Sequence, residues 1–502
     1  MKKLHTILLA LFFGFCGFSQ SPFLNITYTG NEGFLLESEN KKVLIDALFK
    51  ANYPDFLDPS EKMINQIING KPPYDNLDLL LVTHRHADHF SPELTIQLLA
   101  NQTDCKLVAH KQAVDKMREV EGFKKIESQV IEITSDFGSH STKSLNGIDI
   151  DMFCMKHGPY IMDGRNIHEQ VRNLAYIVNI DGIRFYHSGD ATISENIEVL
   201  GKCNFIQKPV DVLFIQYYDT SPEAVKFIGE TIKPDKIVAM HISPENIESS
   251  TVEFLKHYPY GEIFQEQGQM LRFKNSINYH TLSGPYFGQK PPEGKAEVFA
   301  PDIISSKRLE HSFPSFSPDG KEVIWSVSMN PIEELGKVLV YMKEENGLWS
   351  YPEIISFSGK FNTVHDNGPQ FIDDGNYIVF SSRRQVETDE GILNQWKSFY
   401  SKRKNTGWEE EKEITDIPSG MKNYEILCIQ DMPQGEIPLV KIDNRIYKLP
   451  KIDVEPLKNK GTINWTFYIS PDENFAIFSS NRSGAYDEYG DLYISNKTAN
   501  GS

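Results

Sequence analysis

Three histidines and one aspartate fall within six positions of the stretch Thr83-His84-Arg85-His86-Ala87-Asp88-His89-Phe90. Imidazole nitrogens and a carboxylate oxygen together suit a borderline metal such as zinc. On a tight turn, residues two apart can point at one ion, and the next pair, Asp88 and His89, can point at a second. The bland alternative for such a string is a solvated polar turn. The preceding residues, Leu79-Leu80-Leu81-Val82, read as a buried strand, which would place the histidines at a strand end.

A two-metal site needs further groups from elsewhere in the chain. Three candidates end strand-like runs. His157 follows Ile150 to Met155 and precedes Gly158-Pro159, Asp190 follows Arg184 to Gly189, and His241 follows Lys236 to Met240. Upstream, Lys42-Val43-Leu44-Ile45 ends in Asp46. An abrupt polar residue after an apolar run is what a ligand at a strand terminus of a layered α/β core looks like.

In this order, Asp46, the His84/His86/Asp88/His89 cluster, His157, Asp190 and His241 resemble the metallo-β-lactamase superfamily of hydrolases. The resemblance covers about half the chain. Within it the opening phrase Ile26-Thr27-Tyr28-Thr29-Gly30-Asn31-Glu32-Gly33-Phe34 and the compact His187-Ser188-Gly189-Asp190 are most similar to the ascorbate-lactonase-like branch. Relatives often carry histidine after the early glycine, where this chain has Asn31. The resemblance implies a four-layer αββα fold of the α/β class. It implies that His84, His86 and His157 hold one metal, that Asp88, His89 and His241 hold the other, and that Asp190 bridges them. A metal-bridging hydroxide would attack an ester, lactone or phosphoester, with Asp88 as the catalytic carboxylate that orients it or shuttles its proton. Asp46 would fix a ligand histidine by hydrogen bond from behind. Zinc is the expected metal, with manganese or iron as alternatives because no cysteine joins the set.

The remaining histidines have plainer readings. His110 reads as a helix start and His140 as a loop residue. His187 either supports the site from behind or touches substrate. His168, near Arg165 and Arg172, lies in a loop that could approach an anionic substrate. Tyr217-Tyr218-Asp219, after a strand, reads as packing or pocket lining. Net charge is −18, from 51 Lys and Arg against 69 Asp and Glu, which argues against a general nucleic-acid binder. The partner expected is a small-molecule substrate.

At the N-terminus, Lys2-Lys3 and the apolar Ile7 to Phe18 read as a secretory signal over residues 1–20, too short for a comfortable membrane span. No other segment reads as transmembrane. The expected location is therefore the bacterial periplasm or outside the cell. Cys105, Cys154, Cys203 and Cys428 form no Cys-x-x-Cys pair, and three of them, in or beside apolar runs, read as small core residues.

Residues 21–283 read as the hydrolase domain and the breaker-rich 284–310 as a linker. Residues 311–502 carry repeats. Pro314-Ser315-Phe316-Ser317-Pro318-Asp319-Gly320 with Val323-Ile324-Trp325 returns as Pro369 to Ser381, as Phe467 to Ser479 and, worn, as Leu427 to Gly435. A period of about 50 residues suits propeller blades. The phrases resemble TolB-type, WD-like β-propeller repeats, which implies an all-β propeller-like domain, here with an incomplete last blade. Such a domain would bind a protein or glycan partner, or simply pack. The rival to an exported hydrolase is thus a propeller-based binding or scaffold protein whose hydrolase-like domain is inactive.

Overall fold

The computed structural model describes residues 22–274, 277–290, 297–305, 314–328, 336–359, 365–388, 391–413, 425–427, 439–442, 445–448, 464–469, 475–480 and 491–496. The expected export segment lies outside them. Among the described residues no helix is long and apolar enough to cross a membrane.

The first half of the chain runs β1 (Phe23–Gly30), β2 (Gly33–Glu37), β3 (Lys42–Ile45), α1 (Glu61–Ile68), β4 (Leu79–Val82), α2 (Pro92–Asn101), β5 (Lys106–His110), α3 (Lys111–Arg118), α4 (Phe123–Ile126) and β6 (Val130–Ile133). There follow β7 (His140–Leu145), β8 (Ile148–Lys156), the short β9 (Ile161–Met162) and β10 (Arg165–Asn166), β11 (Arg172–Ile180), β12 (Ile183–His187), α5 (Ile193–Leu200), β13 (Val212–Gln216), α6 (Pro222–Phe227), β14 (Lys236–Met240), α7 (Ile247–His257), β15 (Glu262–Ile263) and β16 (Met270–Lys274). Two seven-stranded sheets result, ordered β16-β1-β2-β3-β4-β5-β6 and β15-β14-β13-β12-β11-β8-β7. Both are mixed. The pairings β3-β4-β5-β6 and β12-β13-β14-β15 are parallel, and the others antiparallel.

Alternation along the strands builds the layers. Leu79 and Leu81 of β4 face the second sheet, in one core with Tyr176, Phe185 and Phe214. Leu80 and Val82 face outward, against Ile64, Ile67, Leu98 and Leu99 of α1 and α2. On the far side, Leu213 and Ile215 of β13 pack beneath Ile193, Leu200 and Phe254 of α5 and α7. Both faces of β4 and β13 are covered, so these strands read as unbroken apolar runs.

Among its described residues, the regular elements of the second half after residue 314 are all strands. β17 (Ser315–Phe316), β18 (Glu322–Ser328), β19 (Lys337–Glu345) and β21 (Glu353–Ile354) form one antiparallel meander, with β20 (Leu348–Trp349) paired to the end of β19. β22 (His365–Ile372), β23 (Tyr377–Thr388), β24 (Gly391–Lys402) and β25 (Lys412–Glu413) form a second. The two join into one sheet at the parallel pair Lys337 and His365, and the Phe371 N–H of β22 donates to Ser315 Oγ of β17 at 3.0 Å. Six further strands form two separate three-stranded sheets. The Ser-Pro-Asp-Gly turn works as its residue types predict. Asp319 accepts from the Ser317 hydroxyl (2.6 Å) and the Lys321 N–H (3.1 Å), and Gly320 takes φ +70°. The matching turns at 431–435 and 470–474 lie outside the described residues.

The two halves share a core. Trp325, Val338, Val340 and Trp349 join the α5–α7 cluster, and Trp325 Nε1 donates to Tyr260 Oη at 2.7 Å. Ala300, Ile303 and Ile304, within the stretch read as a linker, are buried in that same core.

Candidate metal centre

The ends of β3, β4, β8, β12 and β14 converge on one side of the sheet pair. Asp46, just after β3 and at φ +43°, is fully buried. Its Oδ1 accepts the Thr83 N–H at 2.9 Å and its Oδ2 the Thr83 hydroxyl at 2.5 Å, which ties the histidine loop to the neighbouring strand. Because the Thr83 hydroxyl donates to Asp46, its oxygen is left to accept from His84 Nδ1 at 3.1 Å. Asp46 Oδ2 also accepts from His89 Nδ1 at 3.0 Å. His157 Nδ1 in turn donates to Gly158 O at 2.8 Å. His84 and His157 are therefore held with Nδ1 protonated and the Nε2 lone pair inward, and His89 is held with Nδ1 on Asp46 and Nε2 turned inward.

Those lone pairs meet. His84 Nε2 lies 3.0 Å from His86 Nδ1, and His157 Nε2 lies 3.2 Å from the same atom. Asp190 Oδ2 is 3.0 Å from His157 Nε2 and 3.7 Å from His84 Nε2. One ligand atom from each of these four residues fits within 4.8 Å. The other oxygen of the same carboxylate, Asp190 Oδ1, lies 3.2 Å from His89 Nε2. Asp88 Oδ2 is 3.3 Å from His89 Nε2 and 3.7 Å from His241 Nε2. Asp190 thus faces both pockets.

Burial, then the neighbouring His157 and His89 rings, pushes His86 down to about 3. Burial likewise holds His84 well below the ordinary value, so both rings stay neutral and able to ligate. Burial alone would lower His89 as well, but the carboxylates of Asp190, Asp88 and Glu32 outweigh it and hold that ring well above its usual value.

Residues 25–241 match a family model described as a β-lactamase superfamily domain. A metal-dependent hydrolase of Thermococcus kodakarensis is 26% identical over 221 residues, 43% of this chain and 84% of the relative. One of Methanosarcina mazei is 28% identical over 244 residues, 46% of this chain and 90% of the relative. Among solved structures, Igni18, a metallo hydrolase from Ignicoccus hospitalis, aligns at 15% identity and TM-score 0.34, covering 51% of this chain and all of that one. CmlA, a diiron β-hydroxylase from Streptomyces venezuelae, aligns at 14% identity and TM-score 0.34, over 51% of this chain and 54% of that one.

The N-terminal half carries a metallo-β-lactamase superfamily domain.

In this lactamase-type domain all seven residues read as ligands, His84, His86, Asp88, His89, His157, Asp190 and His241, meet at one centre. The donor set fits divalent cations on two grounds. His86 Nδ1 lies 3.0 and 3.2 Å from the inward nitrogens of both His84 and His157, and a single N–H there could serve only one of them well, whereas a shared cation accepts all three. His89 Nε2 is buried without a hydrogen bond in good geometry although two carboxylates stand beside it.

His187 is not turned toward the ligand atoms of the two pockets. Its Nε2 donates to Glu32 O at 3.0 Å and its Nδ1 accepts the Gly189 N–H at 3.1 Å, which ties the β1–β2 turn to the turn carrying Asp190. His168 sits at the rim, its ring 4.2 Å from that of His157 and 4.8 Å from that of His86. Tyr218 and Phe56 border His241 at ring distances of 6.3 and 5.1 Å. Other candidates lie elsewhere. His140 stacks on Phe153 and pairs with Asp151, Arg172 covers the Phe137 ring, and the Asp219 carboxylate accepts the Ile193 N–H at the start of α5.

Sequence reasoning missed four groups. Thr83 relays Asp46 to His84. Asn173 accepts the Asp190 N–H at 3.0 Å, and Gln216 Nε2 approaches Asp190 Oδ1 at 3.4 Å. Glu32, fully buried, groups with His89, Asp190 and His241 within 4.8 Å. Its signal was a glutamate between Gly30 and Gly33 in the opening phrase, read there only as part of the resemblance.

Proposed function

We propose that this chain is a metal-dependent hydrolase whose centre takes two cations and cleaves an ester, lactone or phosphoester bond. The observation that carries the reading is the convergence of His84, His86, His157 and Asp190 within 4.8 Å, with the opposite nitrogens of His84 and His157 already committed to hydrogen bonds. His84, His86 and His157 would hold the first cation, Asp88, His89 and His241 the second, and Asp190 both. Three imidazoles and a carboxylate suit zinc, with manganese or iron as alternatives. Bound there, the cations supply Lewis acidity and bring the pKa of water towards neutrality.

The chain's own groups do the rest. Asp88 is the carboxylate that accepts a hydrogen bond from the attacking water and passes its proton to the leaving group. Asn31 Nδ2 donates to the Asp88 backbone oxygen at 3.2 Å, which steadies that residue. Asp46 and Thr83 keep His84 and His89 in one tautomer. Phe56 and Tyr218 wall the side next to His241, and His168 closes the side next to His157, within reach of an anionic substrate group.

Export, supported by the apolar segment behind Lys2-Lys3, and propeller-type closure of the second half, supported by the repeats and the two four-stranded meanders, belong to the same proposal. A protein or glycan bound through that half would be its partner.

A panel of lactone, phosphodiester and β-lactam substrates, offered to metal-loaded protein, tests the reading. Hydrolysis of a lactone or phosphodiester is expected, lost on chelation and in His86→Ala and Asp190→Asn. Full activity in either variant refutes the assigned centre.

A further inference from the structure

Four carboxylates are buried around the centre: Glu32, Asp46, Asp88 and Asp190. Among the described residues their ion-pair partners are imidazoles only, those of His84, His89, His157 and His241. Burying an ionised carboxylate costs several kcal/mol unless charge and hydrogen bonds compensate it. Asp46 is compensated by three donors, whereas Glu32 is not. Its Oε1 accepts from Gln216 Nε2 at 2.5 Å, but its Oε2 is buried with no donor, and the nearest cationic group, His89 Nδ1, stands 3.7 Å away. That nitrogen already donates to Asp46.

The backbone shows that this placement is built into the fold. Glu32 sits in the turn between β1 and β2, after Asn31 at φ +43°. A Cβ on Gly33 would collide with Thr29 Oγ1 and lie 2.8 Å from Asp46 O, and one on Gly30 would collide with Leu57 O. The turn is thus pressed against β3 and the loop before α1 at both of its glycines. The carbonyl of Glu32 is held by His187, its side chain by Gln216, and Gln216 also reaches the Asp190 carboxylate. One oxygen of the Glu32 carboxylate lies within 4.8 Å of a ligand atom of each of His89, Asp190 and His241.

We propose that Glu32 is a direct ligand of the second cation. The proposal rests on the two-cation reading above and extends it. The first pocket then offers three imidazoles and one shared carboxylate. The second offers three carboxylates, from Glu32, Asp88 and Asp190, with the imidazoles of His89 and His241. Nitrogen-rich sites suit zinc, and oxygen-rich sites suit harder cations such as manganese or ferrous iron. The two pockets therefore differ in metal preference, and the second is the one that accepts manganese. Charge agrees, because two divalent cations bring four positive charges to four buried carboxylates.

The test is a titration of the metal-free full chain with manganese alone and with zinc alone, followed by calorimetry and by electron paramagnetic resonance of bound manganese. Wild type is expected to take two cations. Glu32→Gln keeps the size of the side chain and an acceptor for Gln216, and removes its charge. It should keep the first zinc affinity and lose at least about tenfold in second-site manganese affinity, while Glu32→Asp falls between. The metal-free Glu32→Gln protein should melt close to wild type, since the amide fills the same space and keeps the bond to Gln216. Two-cation binding by Glu32→Gln with an isotherm like that of wild type would overturn the proposal and leave the two-cation reading standing. A wild type that binds one cation or none would overturn that reading, and the proposal with it.

Discussion

Asp46 shows how a residue outside the ligand sphere can govern it. One carboxylate accepts from the Thr83 N–H, the Thr83 hydroxyl and His89 Nδ1, and through Thr83 it also fixes His84. Asp46→Asn preserves shape but turns one acceptor into a donor, so His89 or Thr83 must reorient. The expected result is a loss of about 10- to 100-fold in metal affinity with the fold retained, read by calorimetric titration and circular dichroism. The residue scale is also where the sequence is most and least legible. The His84–His89 cluster announces itself because its members are neighbours in the chain. Glu32 does not, because a glutamate after a turn asparagine looks like a solvated turn, and only the fold reveals that Gly30 and Gly33 press it inward. Gln216 and Asn173 are equally silent, since a buried amide at the end or start of a strand carries no spacing signal.

At the scale of elements, strand ends are readable because β4 and β14 carry apolar runs that stop at a polar residue. The turn that presents Asp190 depends on Gly189 at φ +53°, where a Cβ would collide with Asn173 Oδ1 and lie 2.7 Å from Thr83 Cβ. Gly189→Ala should therefore cost about 1–3 kcal/mol of packing strain and weaken metal binding, seen as a lower melting temperature and a shallower titration. His110 was read as a helix start, and it does cap α3. Its Nδ1 accepts the Gln112 N–H at 3.1 Å and its Nε2 donates to Ser135 O at 3.2 Å. Burial depresses its pKa although the bond to Ser135 opposes this. The folded chain therefore binds this proton less readily than the unfolded chain, whose value is near 6.5. The cap's contribution to stability is complete above about pH 6.5 and is lost as pH falls from there through the lower folded value. His110→Asn retains a capping oxygen that does not titrate. The melting temperature of wild type should thus fall more than that of His110→Asn between pH 7.5 and pH 5. Parallel slopes would contradict this role.

Taken as a whole, the chain joins its halves more tightly than the breaker-rich stretch at 284–310 suggests. Trp349 Nε1 donates to Gly284 O at 2.9 Å, Trp325 bonds Tyr260, and Tyr279 meets Tyr351 with ring centroids 4.9 Å apart. Glycine and proline mark where a chain turns, but they do not say whether the turns are packed, so composition alone hid this contact. A protein cut after residue 283 should expose the Tyr260 and Tyr279 face and melt lower, or aggregate, compared with the full chain. Trp325→Ala should cost about 3–5 kcal/mol and lower the melting temperature of both halves together. Independent melting of the halves would contradict the shared core. The repeats were legible because turn chemistry is local. Whether the strands close into a propeller was not, because closure depends on pairing between segments far apart in the chain.

His84, His86, Asp88, His89, His157, Asp190 and His241 together would hold two cations. Elemental analysis of the full chain after equilibration with zinc and removal of excess tests it most directly. Wild type should retain two zinc ions per chain, and Asp190→Asn fewer. A wild type retaining one or none, or an Asp190→Asn variant retaining two, would contradict it.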